Sequence, residues 1–215
     1  MSKFENIAQC VLDGEFKKVK GLVNKAMEDG AKPMDIINEG LIGGMNLVTP
    51  LFKTGEMFVP EVMKSAKTMN IGMDLLKEYI KEGDLVTKGV IITGTVKGDL
   101  HDIGKNLVGM MLESSGYTVI DLGTDIEPED FLKAIEKEKP DIIGMSALLT
   151  TTMMNIKETI DFLEEKGVRN KVKIIVGGAP ISQEFANQVG ADGYGEDAAA
   201  AVELCDSLVS EKAHA

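Results

Sequence analysis

The spacing of apolar residues changes once along the chain, near residue 84. Before that point apolar positions recur at helical intervals, most clearly in a stripe that alternates steps of four and three. That stripe consists of Val62, Ala66, Met69, Met73, Leu76 and Ile80. Three earlier apolar segments are separated by breaks at Asp13-Gly14 and Asp29-Gly30, and a loop is expected at Pro50–Pro60. The pattern predicts an antiparallel four-helix bundle over residues 1–84.

From residue 88 onward, short apolar runs alternate with helical segments. The runs predicted as strands are Gly89–Thr93, Tyr117–Leu122, Asp141–Met145, Val172–Val176 and, more weakly, Asp192–Tyr194. The predicted helices are Asp102–Ser115, Pro128–Lys139, Thr151–Lys166, Ser182–Val189 and Glu196–Ser210. Strands separated by helices require right-handed crossovers, which give a parallel sheet covered on both faces.

Residues 88–215 are therefore predicted to form an α/β domain with a doubly wound, flavodoxin-like or Rossmann-like sheet of five parallel strands. The boundary between the helical and α/β domains is expected at Gly83-Asp84, with Leu85–Lys88 as the link.

Charge and composition narrow the classes of partner. The 215 residues carry a formal net charge of −12, which argues against nucleic-acid binding because that needs a cationic face. No run approaches the roughly 20 apolar residues that span a bilayer, and the N-terminus lacks the apolar core of a signal peptide. A cytoplasmic protein without a membrane partner is expected. Cys10 and Cys205 form no CxxC pair and are expected to be free thiols.

One loop carries the candidate chemistry. It is Gly98-Asp99-Leu100-His101-Asp102-Ile103-Gly104, between the first strand and first helix of the α/β domain. Ligands of open α/β sheets bind just beyond the carboxyl ends of strands. Asp99 lies two positions before His101, and a carboxylate bound to an imidazole is the usual arrangement behind a metal-ligating histidine. His101 is thus a candidate metal ligand, whereas Asp102 is interpreted as the N-cap of the following helix.

Two further loops begin at predicted strand ends. Ser146–Thr152 is rich in hydroxyl side chains, and Gly177-Gly178-Ala179 lets a ligand approach the backbone. An ordinary loop with hydroxyl-to-backbone bonds is the alternative interpretation of the first. The three loops share one sheet edge and predict a slot for a long, mainly apolar ligand with a polar tail. The GxGxxG fingerprint is missing after the first strand, so an ordinary dinucleotide is not expected.

Three motifs in order resemble the signature of cobalamin-binding proteins. They are Asp99-x-His101-x-x-Gly104, Ser146-x-Leu148 and Gly177-Gly178, separated by 41 and 28 residues. In the helical half, Leu51-Phe52 and Met57-Phe58-Val59-Pro60 resemble the cap of the methionine synthase cobalamin module. The resemblance is strongest to free-standing corrinoid proteins that serve methanol, methylamine, glycine-betaine or aryl-ether methyltransferases.

This resemblance implies a cobalamin or related corrinoid whose cobalt cycles between a methylated trivalent state and a monovalent state. It assigns His101 as the lower cobalt ligand, Asp99 as its hydrogen-bond partner, and Thr152 as the third member of the proton relay. The other implied cofactor contacts are Gly98, Leu100, Asp102, Ile103 and Gly104 in the loop, Ser146, Leu148, Thr150, Gly177 and Gly178 around the tail, and Phe52, Val59 and Glu39 in the cap.

By the same resemblance the chain is a methyl carrier, since 215 residues leave no room for separate donor and acceptor sites. The implied partners are a barrel-type substrate:corrinoid methyltransferase, a second methyltransferase directed to tetrahydrofolate or a thiol, and a reductive activating protein. The expected substrate is a methylated amine or quaternary amine. A cobalamin-dependent sensor is the alternative, although no basic helix-turn-helix is visible. A signalling receiver needs a phospho-acceptor Asp and an acidic cluster, whereas the first strand ends in Thr93-Gly94-Thr95.

Overall fold

The computed structural model describes residues 4–79 and 87–213 of the chain. The chain divides into two compact units. The first holds the residues before Thr87 together with Ser114–Gly116, and the second holds the remaining residues from Thr87 onward. The predicted boundary at Gly83-Asp84 lies outside the described residues, as does Ile80. Within the described ranges, no helix is long and apolar enough to cross a membrane.

The N-terminal unit is built from helices. Their bounds are α1 (Glu5–Leu12), α2 (Val19–Glu28), α3 (Pro33–Asp35), a π-helical segment (Ile36–Ile42), α4 (Gly43–Lys53), α5 (Val59–Leu76) and a 3-10 turn (Lys77–Tyr79). The stretch from Pro33 to Lys53 is one continuous helix whose middle part is π-helical. The predicted stripe of α5 faces inward: Val62, Ala66, Met69 and Leu76 are buried.

The loop expected at Pro50–Pro60 is shorter than predicted. Helix α4 continues through Pro50 to Lys53, and α5 begins at Val59. A proline inside a helix costs about 3 kcal/mol because it removes a hydrogen bond. Burial of Met45 and Val48 on the same helix offsets that cost. Pro60 lies in the first turn of α5, where a missing N–H leaves no helical bond unmade.

Glycine permits the close approach of α1 and α4. A Cβ on Gly44 would lie 2.6 Å from the carbonyl oxygen of Ala8 and 2.7 Å from Cβ of Val11. Both contacts are shorter than side chains tolerate, so only hydrogen fits at this position. By contrast, a Cβ on Gly21 in α2 would meet no heavy atom within 4 Å.

The second unit confirms the predicted α/β fold. Its five parallel strands have the order β2-β1-β3-β4-β5. The elements are β1 (Val90–Thr95), α6 (Ile103–Ser114), β2 (Thr118–Asp121), α7 (Pro128–Glu138), β3 (Ile142–Ser146), α8 (Met154–Glu165), a 3-10 turn (Arg169–Lys171), β4 (Lys173–Gly177), α9 (Gln183–Val189), β5 (Gly193–Tyr194) and α10 (Ala198–Ala213). The central strands are apolar because helices cover both faces; Ile92, Ile143 and Ile174 are fully buried.

The strand register aligns the three candidate loops. Thr95 at the end of β1 pairs with Ser146 of β3, and Ser146 pairs with Gly177 of β4. The last residues of these three strands therefore lie side by side. Helix α8 begins at Met154 and not at Thr151. The residues before it form a turn, in which the hydroxyl group of Thr152 donates a hydrogen bond to Asp99. Cys10 and Cys205 are buried free thiols, as expected.

We expect Gly44→Ala to destabilise the N-terminal unit by about 1–3 kcal/mol, because the added methyl group overpacks the contact with α1. Thermal unfolding of the full chain, followed by circular dichroism, measures the effect. The matched control is Gly21→Ala, which we expect to raise the free energy of unfolding by about 0.5–1 kcal/mol, because alanine is more favourable than glycine in an exposed helix. A Gly44→Ala chain that melts at or above the wild-type temperature would contradict the packing argument.

Candidate functional site

The carboxylate of Asp99 is the centre of the candidate site. The residue is fully buried and accepts hydrogen bonds from two loops. Its Oδ2 accepts from Thr152 Oγ1 at 2.6 Å, from the Leu148 amide at 2.8 Å and from the Leu149 amide at 3.4 Å. Its Oδ1 accepts from the His101 amide at 3.1 Å and lies 2.7 Å from His101 Nδ1. The structure thus brings together Asp99, His101 and Thr152.

The charge state of Asp99 follows from these contacts. Burial by itself raises the pKa of a carboxyl group, but the hydrogen bonds from Thr152, Leu148 and His101 outweigh it. Together they hold the pKa of Asp99 below its ordinary value of 3.8. Asp99 is therefore an ionised acceptor at neutral pH.

An ionised Asp99 fixes the tautomer of the imidazole. Because the carboxylate carries no hydrogen, Nδ1 of His101 must be the donor in their contact. In the neutral ring, Nε2 then keeps its lone pair. The side chain of His101 is 50% exposed, whereas that of Asp99 is 0% exposed. This arrangement presents a basic nitrogen at the protein surface, held from behind by a buried anion.

Apolar side chains are exposed on the same two loops and at the helix that follows each. Isolated exposed apolar residues are common, but a set concentrated on loops around a polar site indicates a binding surface. Their exposed fractions are 71% for Leu100, 85% for Ile103, 42% for Leu148, 43% for Leu149 and 52% for Met154. The sequence predicted three of these as cofactor contacts: Leu100, Ile103 and Leu148.

The predicted glycines fall into two groups. A Cβ on Gly104 would meet no heavy atom within 4 Å, so the space beside the His101 loop is open. A Cβ on Gly178 would lie 1.9 Å from the carbonyl oxygen of Ala147, and the residue has φ of 127°. A Cβ on Gly177 would lie 3.0 Å from the carbonyl oxygen of Gly195. Gly177 and Gly178 therefore allow neighbouring backbone segments to pack closely.

A hydroxyl pair links the ends of β1 and β3. Thr95 Oγ1 donates to the carbonyl oxygen of His101 at 3.0 Å, and Ser146 Oγ lies 2.9 Å from Thr95 Oγ1. Since Thr95 has one hydroxyl hydrogen, Ser146 is the donor of this pair. None of the sequence motifs includes Thr95, although its position opposite Ser146 in a parallel sheet is a signal that could have identified it. Thr150 lies exposed in the loop after β3.

An ion pair that none of the sequence motifs includes joins a buried lysine to a half-exposed aspartate. The Nζ atom of Lys105 lies 2.6 and 2.7 Å from the carboxylate oxygens of Asp121 and 2.7 Å from Asn106 Oδ1. The Lys105 side chain is buried, so this pair ties the first turn of α6 to the end of β2. Asp102 directly precedes α6, and its carboxylate accepts from Asn106 Nδ2 at 3.0 Å.

The three predicted cap residues lie in the N-terminal unit. Phe52 is half-buried near the end of α4, Val59 is 38% exposed at the start of α5, and Glu39 is exposed in the π-helical segment. Their roles at a cofactor stay predictions.

Comparison with known proteins identifies relatives of both units. A B12-binding domain model matches residues 89–203, and a second B12-binding domain model matches residues 3–77. A corrinoid protein of Desulfitobacterium hafniense is 44% identical over 98% of this chain and 99% of that protein. Dimethylamine corrinoid protein 3 of Methanosarcina acetivorans is 42% identical over 94% of this chain and 95% of that protein.

A solved structure gives the same result. The crystal structure of the methanol:cobalamin methyltransferase complex MtaBC from Methanosarcina barkeri contains a chain that superimposes with a TM-score of 0.87 at 39% identity. The match covers 95% of this chain and 78% of that chain.

We expect Asp99→Asn to destabilise the protein by about 1–3 kcal/mol, because either orientation of the amide turns its NH₂ group toward buried donors. The pKa of Asp99 is lowered in the folded chain, so its contribution to stability is present above about pH 4 and is lost as the pH falls below that value. The free energy of unfolding, measured with denaturant at a series of pH values from about 3 to about 7, reports both effects.

The matched control is Asp102→Asn in the same loop, where the carboxylate accepts one exposed hydrogen bond. This variant should unfold like the wild type. Equal acid sensitivity in the Asp99→Asn variant and the wild type would show that the Asp99 contacts do not stabilise the ionised form.

Proposed function

The chain belongs to the family of B12-binding corrinoid proteins, and from that premise we propose that it carries a methyl group between two methyltransferases. As a member of the family it binds a corrinoid. The observation that carries the proposal is the half-exposed imidazole of His101, whose Nδ1 is bound to a buried, ionised Asp99. We propose that Nε2 of this ring would hold the cobalt of the corrinoid.

The residues present fit a corrinoid. His101 offers one basic nitrogen, so a metal bound there takes its remaining ligands from a cofactor. Gly104 leaves open space beside the loop, and exposed apolar side chains suit the rim of a large macrocycle. When bound, the corrinoid supplies a cobalt atom that accepts and releases a methyl group. The protein supplies the ligand, the apolar surface and the control of one proton.

That proton is held at a defined atom. Asp99 keeps the hydrogen of His101 on Nδ1, which leaves the lone pair of Nε2 available to the metal. Thr152 donates to the other oxygen of the same carboxylate and so shares its negative charge. These three residues together fix the orientation and the tautomer of the imidazole.

The relatives support the choice of partners and substrate. One solved relative is part of a methanol:cobalamin methyltransferase complex, and one similar protein is a dimethylamine corrinoid protein. We propose that a substrate-specific, barrel-type methyltransferase delivers the methyl group of a methylated amine. A second methyltransferase, directed to tetrahydrofolate or a thiol, would accept the methyl group, and a reductive activating protein would supply the electron that returns oxidised cobalt to its active state.

Ligation by His101 is tested with isotopes. The chain contains two histidines, His101 and His214, so His214→Gln leaves a single one. This variant is grown with ¹⁵N-histidine, loaded with cobalamin and reduced to divalent cobalt. A ¹⁴N axial ligand splits the electron paramagnetic resonance lines into triplets, and ¹⁵N splits them into doublets. We expect doublets.

The control is His101→Ala in the same background, which should lose the histidine-derived splitting and the matching absorption spectrum. Triplets that persist in the ¹⁵N-labelled protein would show that the nitrogen comes from the cofactor's own base, and would refute ligation by His101.

The carrier function predicts stoichiometric methylation without turnover. The loaded protein, reduced and treated with methyl iodide, should retain about one methyl group per chain and should not by itself demethylate methylamines or methanol. Isotope counting of ¹⁴C-methyl on the purified protein measures this. Sustained demethylation of dimethylamine by the purified chain alone would contradict the carrier assignment.

A further inference from the structure

A fourth segment accompanies the His101 loop. The connection between β2 and α7 runs beside the end of β1 and is paired to it by backbone hydrogen bonds. Leu122 N donates to Thr93 O at 2.8 Å, Thr95 N donates to Gly123 O at 2.9 Å, and Ile126 N donates to Thr95 O at 3.0 Å. The two chain segments thus stay paired up to the start of the loop that carries His101.

Asp125 extends this pairing into the loop itself. Its backbone N–H donates to the carbonyl oxygen of Asp99 at 3.0 Å, and its Oδ1 accepts from the Gly98 amide at 2.6 Å. One residue therefore binds both an amide and a carbonyl of the Gly98-Asp99 dipeptide. None of the sequence motifs points to Asp125.

The backbone of Asp125 is in an uncommon conformation. Its φ is 57°, and among the described residues Lys139 is the other non-glycine residue with positive φ. Aspartate and asparagine tolerate this region better than most residues because their short side chains form local hydrogen bonds. Gly98 also has a positive φ, of 75°. The two hydrogen bonds that join Asp125 to the Gly98-Asp99 dipeptide are called the clamp below.

The clamp and the carboxylate contacts act on the same residue from different sides. The side chain of Asp99 is held by the loop after β3, through Thr152 and Leu148. Its main chain is held by Asp125. With both fixed, the position of Oδ1, and hence of the imidazole that donates to it, is determined.

We propose that Asp125 is a positioning residue for His101, which acts by fixing the main chain of Gly98-Asp99. This inference rests on the proposed function, because the imidazole that it positions is the proposed cobalt ligand. The hydrogen bonds described for Asp125 go to Gly98 and Asp99 and not to the ring, so its effect is transmitted through Asp99.

Two substitutions separate the hydrogen bond from the backbone conformation. Asp125→Asn keeps both the acceptor and the tolerance of positive φ. Asp125→Gly tolerates positive φ equally well but removes the acceptor of the Gly98 amide. Lys139→Gly is the matched control: it replaces a positive-φ residue by glycine at the C-terminus of α7, where no site residue is bound.

The first measurement uses the full chain without a corrinoid, in the His214→Gln background. The ¹⁵N chemical shifts of the His101 ring report which nitrogen carries the hydrogen. We expect the single Nδ1–H tautomer in the parent protein, in Asp125→Asn and in Lys139→Gly. In Asp125→Gly we expect a mixture of the two tautomers, because Oδ1 no longer stays in place.

The second measurement is the dissociation constant of cobalamin. We expect Asp125→Gly to bind about tenfold more weakly, as for the loss of other outer partners of metal-ligating histidines, and Asp125→Asn to bind within about twofold of the parent. The proposal is overturned when Asp125→Gly keeps the parent ring signals, or when Asp125→Asn changes them as much as glycine does.

Failure of this inference is distinguishable from failure of the proposed function. The ring measurement is made without the corrinoid, so it tests the clamp whether or not His101 ligates cobalt. Failure of ligation is recorded separately, by unchanged triplets in the isotope experiment on the parent protein.

Discussion

The site depends on one buried anion. Moving a carboxylate out of water costs several kcal/mol, and the Asp99 group is stabilised in the interior only because donors surround both oxygens. Those donors are two amides and a hydroxyl from the loop after β3, and the amide and ring of His101. The same contacts join two loops and orient the imidazole. Folding of this sheet edge and orientation of the imidazole are therefore one event.

Sheet topology explains why this anion lies where it does. The strand order β2-β1-β3-β4-β5 means that the chain leaves β1 toward β2 on one side and returns to β3 on the other. Loops diverge at such a switch point and leave a crevice between them, which is where open α/β sheets bind ligands. Asp99 bridges this crevice at its base, and the Thr95–Ser146 hydroxyl pair closes it one step deeper. The location of the ligand-binding site is a consequence of strand order, whereas its chemistry depends on the residues that line the crevice.

The strands of the sheet could be predicted from the sequence because one signal, a run of apolar residues, marks each of them. Parallel strands buried on both faces appear as uninterrupted apolar runs, and their bounds agree with the structure to within two residues. The pairing of Asp99 with His101 was predictable because the two are close in sequence. The sequence predicts that the helix before Pro50 ends there, because proline disfavours a helix interior. The structure continues α4 to Lys53, since burial of Met45 and Val48 cannot be read from the proline alone. Asp125 was out of reach, because its role depends on a positive φ and on a contact across 27 residues of sequence.

The division of contacts also bears on how a carrier works. Every hydrogen bond described for Asp99 and His101 comes from the α/β unit's own loops. Among the described residues, the contacts that fix the imidazole are thus local to the loops that follow β1 and β3. A protein that presents one reactive group to successive partners benefits from this arrangement, because the ring keeps the same orientation at each encounter. The orientation of the imidazole is in this way a property of a few loop residues that surround one buried carboxylate.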